Sequence, residues 1–450
     1  MAKTKTSSNV KKLVIMLLIT FGLLIVFRLG AFITLPYIHS DILEQAAGQI
    51  DFGFLDVFTG GALSSYSVLC LGISPYITSS IVVQLLQMDI LPRFNELAEE
   101  GEEGKQKLNQ YTRYIALGLA FVQSLTLVIG IHANYHGGLF VANDFLDEFP
   151  VFVYIYVSLV ATAGTAFCLW LSELITAKGF GNGSSMLIVA GILATFPQMF
   201  VELIQQLITN EATKNIFVFV ITMLMFVAVI VFIVFMEAAQ RKIPIQYANR
   251  PAAASFRGRS DSNIPIKLNS ASVIPVIFAS TLMSLPATII QIAQLGTEKN
   301  TLGYWLNQIF ATTSTVTTDA GATNVTINVI GFLLYIVLIV VFSFFYSFLQ
   351  LNPEKMSENL QKQNAYVPGV RPGDETAGYI SRVLFKMTVV GATYLTIVAI
   401  LPIVMTVIFD LPASAQIGGT SLIIVVGVAI ESWKQLKQAK QEKQYRGFID

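Results

Sequence analysis

Ten stretches of this chain are apolar for long enough to cross a lipid bilayer, the last only with its flanking residues, and that feature decides most of what it can fold into. They run over residues 13–35, 67–91, 114–131, 151–171, 183–207, 216–236, 271–292, 325–349, 383–409 and 418–433. The hydrocarbon core of a bilayer is about 30 Å thick, which takes roughly 20 residues of α-helix. No water there satisfies backbone N–H and C=O groups, so runs of this length must satisfy their own by forming helix. Composition agrees: 54% of the 450 residues are hydrophobic and 12% are charged, against about 25% charged in a typical soluble chain. The expectation is an all-α polytopic membrane protein with ten transmembrane helices. The first run follows a basic leader, Lys3 to Lys12, as a signal peptide would. It is longer than a signal-peptide core and has no A-x-A cleavage site, so it reads as a retained span.

The net charge is zero, but the distribution of charge is strongly one-sided. Lys3, Lys5, Lys11 and Lys12 precede the first span, and Arg93, Lys105, Lys107 and Arg113 follow the second. Lys178 follows the fourth, and Arg241, Lys242, Arg250, Arg257, Arg259 and Lys267 follow the sixth. Lys355, Lys362, Arg371, Arg382 and Lys386 follow the eighth, and Lys434, Lys437, Lys440, Lys443 and Arg446 follow the tenth. These are all but three of the 28 Lys and Arg residues. Cytoplasmic loops concentrate Lys and Arg, which predicts that both termini are cytoplasmic. Ten spans then divide into five and five, residues 1–210 and 211–450. The second half enters from the opposite side, so structural similarity between the halves would be that of an inverted repeat, as in many transporters. Two long cytoplasmic loops, 237–270 and 350–382, belong to the second half. Loops of that length in compact proteins are commonly binding surfaces, and a basic one suits nucleic acid or an acidic protein patch.

Breaks in the backbone pattern mark where a path could lie, because irregular backbone at membrane depth belongs beside protein or water. The strongest break is Phe58-Thr59-Gly60-Gly61-Ala62-Leu63-Ser64-Ser65, too short to cross and small in its side chains. It reads as a re-entrant piece ahead of the second span, which Gly72 and Pro75 interrupt. The seventh span, at the equivalent place in the second half, carries Pro275 and Pro286. Intramembrane charge is sparse. Arg28 lies in the outer half of the first span, where snorkelling toward the outer surface is expected, while Glu173, Glu237, Glu431, Asp89 and Asp410 sit at span edges. His39, His132 and His136 fall in outer loops, so no proton relay is apparent. Ser184 and Ser185 have no histidine at matching depth, so a membrane-embedded hydrolase lacks its base. No phosphate-binding glycine loop or metal motif occurs, and no cofactor is expected. Cys70 and Cys168 read as small buried hydrophobes. A secondary transporter of inverted topology remains the alternative at this point.

The loops bring a resemblance into view. The stretch EAAQRKIPIQYANR, from Glu237 to Arg250, is similar to the loop between the sixth and seventh helices in the bacterial SecY family. Further similar stretches follow in the expected order: LGISPYI at 71–77, GNGSS at 181–185, VIPVIFAS at 273–280, NPEKMSENLQKQNAYVPGVRPG at 352–373, GGTSLIIVV at 418–426 and YRGFI at 445–449. The resemblance implies two five-helix halves around a pore that moves unfolded polypeptides, with a sideways gate between helices two and seven that releases transmembrane segments into lipid. It places a pore ring on Ile73, Ile77, Ile188, Ile277 and Ile424, with Ser184 standing where the family has a larger aliphatic residue. It places a plug on Asp56, Val57, Phe58, Thr59, Gly60, Gly61, Ala62, Leu63, Ser64, Ser65 and Tyr66. Arg241, Lys242, Arg250 and Arg371 match positions that dock the SecA motor and the ribosome. Small SecE-like and SecG-like membrane subunits, signal-bearing substrates and ATP hydrolysis in SecA rather than in this chain are likewise implied, with residence in the plasma membrane.

Overall fold

A helix occupies each of the ten apolar runs. The computed structural model describes residues 2–35, 56, 58–87, 91–134, 150–209, 212–247, 262–271, 273–292, 301–317, 323–409 and 418–446. Helices α1 (Ala2–Gly30), α2 (Ser74–Leu86), α3 (Pro92–Glu99), α4 (Glu102–Asn134), α5 (Pro150–Lys178), α6 (Gly183–Thr209) and α7 (Ala212–Ala238) come first. Strands β1 (Gln240–Tyr247) and β2 (Ser262–Lys267) follow, then α8 (Ile274–Ile292), α9 (Leu302–Phe310), β3 (Thr313–Thr317), β4 (Thr323–Ile327) and α10 (Val329–Gln350). The chain continues through α11 (Pro353–Lys362), β5 (Ala365–Tyr366), α12 (Asp374–Phe409) and α13 (Gly418–Arg446). Among the described residues six helices are long and apolar enough to cross a membrane by length and composition: those over Glu103–Ile129, Val151–Lys178, Gly183–Gln205, Ile216–Ala238, Val329–Lys362 and Asp374–Phe409. Val14–Gly30 and Ile274–Met283 are shorter apolar helices. The second run falls short for a visible reason: residues 67–73 are folded into turns, with Gly72 at φ 51°, and the helix begins only at Ser74. Pro75 therefore starts this helix instead of interrupting it, at the position where a missing N–H costs nothing.

The outer faces of these helices are apolar and uncovered, as at Phe21, Leu224 and Phe235. Such surface is costly in water and neutral in lipid, so this is a multi-pass membrane protein.

The chain forms two compact units. In the first, made of Met1–Glu202, Ser284–Asn307 and Glu431–Asp450, α4 packs on α2 and α5, and α5 also packs on α1. Small residues let these helices approach: Ala116, Ala120 and Ala161 are fully buried, and Gly164 lies against the Val68 carbonyl. Polar side chains then bridge at short range, as membrane helices permit. Ser79 Oγ donates to the Thr112 carbonyl at 2.6 Å, and the Phe180 amide donates to Thr20 Oγ1 at 2.8 Å.

The second unit, Leu203–Met283 and Gln308–Ile430, packs α12 against α7, α10 and α11. Phe278 of α8 meets Phe342 of α10 edge to face, with ring centroids 4.2 Å apart. Strands β2, β1 and β5 form one antiparallel sheet in that order, with Ile243 opposite Ile264 and Tyr247 opposite Ala365. The strand β1 follows from its own alternation: Ile243 and Ile245 point inward while Lys242, Pro244 and Gln246 are exposed. The sheet shares a core with Leu360, Val367, Ile380 and Leu384. The two long loops are thus joined through one sheet and rooted in α12.

Candidate functional site

The segment expected to be re-entrant is a tightly hydrogen-bonded knot. The carboxylate of Asp56 accepts from the amides of Leu63 at 3.1 Å and Ser64 at 2.9 Å, and its backbone carbonyl accepts from the Gly61 amide at 3.0 Å. Thr59 Oγ1 donates to the same Asp56 carbonyl at 2.9 Å. Glycine is required at the turn: Gly60 and Gly61 have φ of 71° and 83°, values a side chain resists. Two backbone bonds join the knot to the chain that follows α1. The Leu35 amide donates to the Tyr66 carbonyl at 2.9 Å, and the Val68 amide to the Ile33 carbonyl at 2.8 Å. Val57 lies outside the described residues.

Arg28 is partnered within the fold. Its Nη1 donates to the Gly60 carbonyl, and its guanidinium stacks over the Phe32 ring, 5.1 Å from the centroid. The buried backbone of Gly60 also abuts Gly191 of α6.

The five isoleucines assigned by resemblance divide between the units. Ile73 precedes α2 and Ile77 sits one turn on, its amide bonded to the Ile73 carbonyl at 3.2 Å. Ile188 lies on α6, one turn before Gly191. Ile277 on α8 and Ile424 on α13 belong to the second unit and are buried, as are Ile73 and Ile188. Ile77 is half-buried. Ser184 has a structural task instead of an open face: its hydroxyl pairs with that of Ser172 at 2.8 Å, across the α5–α6 turn. Asn182 Oδ1 accepts from the Ser184 amide at 3.1 Å, and Thr176 Oγ1 from the Gly183 amide at 2.9 Å, so the GNGSS motif caps α6.

The basic residues of the loops are held on rigid supports. Arg241 and Lys242 project from β1, both exposed. Arg371 sits in a turn closed by the Thr376 hydroxyl donating to its carbonyl at 2.7 Å and by the Ser357 hydroxyl donating to Gly373 at 2.7 Å. Its side chain is 87% exposed, and its ion pair with Glu375 is loose at 4.0 Å. Arg250, Asp89, Asp410, His39, His136 and the last residues of the YRGFI motif lie outside the described residues. Among the described residues no cluster of His, Cys, Asp or Glu is placed to hold a metal ion. Cys70 and Cys168 are both free and buried.

Two features escaped the sequence reading. The Asp56 clamp is local, and an aspartate ahead of a Gly-Gly turn could have signalled it. The Arg28–Gly60 bond spans 32 residues and ends on a backbone carbonyl, which no residue pattern announces.

Comparison with known proteins follows the same lines. The SecY family model matches residues 67–433. The protein translocase subunit SecY of Halalkalibacterium halodurans is 43% identical over 434 residues, covering 96% of this chain and 95% of that protein. That of Bacillus licheniformis is 40% identical over 451 residues, covering 99% of each. Among solved structures, one described as that of a protein conducting channel aligns with a TM-score of 0.62 at 17% identity, over 95% of this chain and 93% of its own. Sec61 in a canine ribosome-channel complex from the endoplasmic reticulum aligns with a TM-score of 0.61 at 17% identity, over 95% and 93%. Their fold is the fold described above. With a family match across most of its length and near-complete relatives at 40% identity or more, the chain belongs to the SecY family.

Proposed function

We propose that the chain is the protein-conducting channel of a Sec translocase, moving unfolded polypeptides across the plasma membrane. The observation that carries this is the identity, over nearly the whole chain, with proteins named as protein translocase subunits. In this reading ten spans cross the membrane with both termini cytoplasmic, as five-helix halves at 1–210 and 211–450. Ile73, Ile77, Ile188, Ile277 and Ile424 ring the constriction. Aliphatic side chains offer water and ions no hydrogen bond, so a narrow ring of them resists wetting yet deforms around an extended chain. The 56–66 segment is the plug on the outer side, and a gate between the second and seventh spans releases apolar segments to lipid. Arg241, Lys242, Arg250 and Arg371 dock a SecA-type ATPase and the ribosome, and small SecE-like and SecG-like subunits complete the membrane complex. The chain itself carries out no catalysis; the motor supplies ATP hydrolysis.

Reconstitution tests it. Vesicles containing the chain with a SecE-like partner, given SecA, ATP and a signal-bearing preprotein, should accumulate protease-protected preprotein. A complex that assembles and binds the motor but protects no preprotein above the ATP-free level would refute the reading.

A further inference from the structure

We propose that Trp305 anchors the short helix α9 in the bilayer surface opposite the 351–373 loop, with its indole ring at the boundary between lipid headgroups and hydrocarbon. The proposal rests on the membrane setting of α10 and not on what the channel carries.

The depth of α9 follows from the helix that comes after it. α10 has 22 residues, about 33 Å at 1.5 Å per residue, against roughly 30 Å of hydrocarbon. Its exposed apolar stripe begins in the first turn, at Val329 and Ile330, and continues through Leu333, Val337 and Val341. The first turn therefore stands at one hydrocarbon boundary, and the loop after Gln350 lies beyond the other. The chain leaving α9 is seated on that first turn. A Cβ at Gly331 would stand 2.1 Å from the Ala311 carbonyl oxygen and 3.2 Å from that of Ile309, and the Asn328 amide donates to the Thr312 carbonyl at 3.1 Å. Trp305 precedes Ile309 in the same helix, by roughly 6 Å along its axis. The headgroup layer on each face of a bilayer is itself about 5–7 Å deep. Whichever way α9 runs, Trp305 stays close to the boundary.

The side chains suit that depth. At nine residues α9 is about 14 Å long and cannot cross. Helical spacing sets Trp305, Leu306, Ile309 and Phe310 toward one face and Tyr304 and Gln308 toward the other. Leu306, Ile309 and Phe310 are partly buried, whereas Trp305 is 53% exposed. The Tyr304 ring meets it edge on, with centroids 6.0 Å apart. An indole joins a large apolar surface to a single N–H donor, so it is most stable where one end is dry and the other wet. Trp170 and Trp433 are also exposed, but they stand where their apolar runs give way to Lys178 and Lys434. In the topology proposed above, Trp305 is the tryptophan of the side poor in Lys and Arg. The sequence of α9, LGYWLNQIF, carries no charge, so the anchor needs no charged headgroup. Once anchored, α9 fixes the depth of the link between the seventh and eighth spans.

Fluorescence of the full chain with its membrane partner in lipid vesicles tests this. The same complex carrying Trp305→Phe is the reference, and subtracting it isolates the Trp305 emission. Phosphatidylcholine brominated near the headgroup should remove most of that emission, and phosphatidylcholine brominated at the chain ends should remove little. Iodide in the water should also remove little. Replacing part of the phosphatidylcholine with phosphatidylglycerol should leave this pattern unchanged, because α9 is uncharged. Quenching by iodide alone would put the ring in water, and equally strong quenching by chain-end bromine would put it in the hydrocarbon. Silence to all three quenchers would put it beneath a protein partner, and a requirement for the anionic lipid would make the attachment one of charge. Each of these four results overturns the proposal.

Discussion

Gln246 and Tyr366 are 120 residues apart in the chain and opposite one another in one antiparallel ladder, with the Tyr366 hydroxyl donating to Gln246 Oε1 at 3.2 Å. The pairing makes the two long loops a single body. Strand β1 leaves the end of α7, β5 leads into α12, and the shared sheet buries Ile243, Ile266, Leu360 and Ile380 almost completely. Arg241, Lys242 and Arg371 are consequently presented from one folded support, which holds their spacing when a partner approaches.

Because the core is common, damage in one loop should spread to the other. Ile243→Ala removes a buried side chain from the first loop and should cost about 2–5 kcal/mol locally. Limited proteolysis should then cut both the 240–267 and the 351–373 regions faster than in the parent protein. Cleavage confined to the first region would mean that the loops fold independently.

Arg371 should separate docking from stability. Its side chain is 87% exposed and its pair with Glu375 is long, so Arg371→Glu should change stability by no more than ~0.5 kcal/mol. The turn beneath it is held by Thr376 and Ser357, neither of which uses the guanidinium. Export driven by a SecA-type motor should nevertheless collapse. Normal export at ordinary expression levels would remove Arg371 from the docking surface.

Two glycines make a matched test of packing in the first unit. A Cβ at Gly164 would stand 1.9 Å from the Val68 carbonyl oxygen, whereas one at Gly118 meets nothing within 4 Å. Gly164→Ala should destabilise by about 1–3 kcal/mol, since α5 must move off the 68–73 turns. Gly118→Ala should stabilise α4 by roughly 0.5–1 kcal/mol through helix propensity. Thermal unfolding in detergent should show the two shifts in opposite directions; equal shifts would contradict the close approach at Gly164.

These contrasts show what a linear reading can reach. Helices were legible because length and apolarity are local properties, and each expected run holds one. The proline at 75 could also have been read correctly, since a helix tolerates proline in its first turn. The sheet was half legible: QRKIPIQY alternates in and out, a strand signal inside what looked like a loop, but its pairing with Ala365 depends on where α12 brings the second loop. The contacts of the 56–68 segment were least legible. Gly60 is recognisable as a turn residue, yet its carbonyl is the acceptor for Arg28, and its missing side chain admits Gly191. Backbone acceptors and close approaches leave no residue-type signature.

The constriction is the part of the proposal that depends most on resemblance, so its test must separate a pore ring from ordinary packing. Ile77 is half-buried near the start of α2, and Ile277 is buried near the start of α8. Serine at either position keeps the helix but puts a hydroxyl where an aliphatic chain stood. If these side chains line a narrow dry passage, Ile77→Ser with Ile277→Ser should wet it, because hydrophobic constrictions gate by excluding water. Planar bilayers should show ion conductance absent from the parent protein, and preproteins with defective signals should be exported more readily, since less free energy is then needed to open the channel. Simple core packing predicts otherwise: a lower unfolding temperature with no new conductance. A double variant that is destabilised yet electrically silent, with unchanged signal selection, would assign both isoleucines to the core and leave the constriction to be found elsewhere.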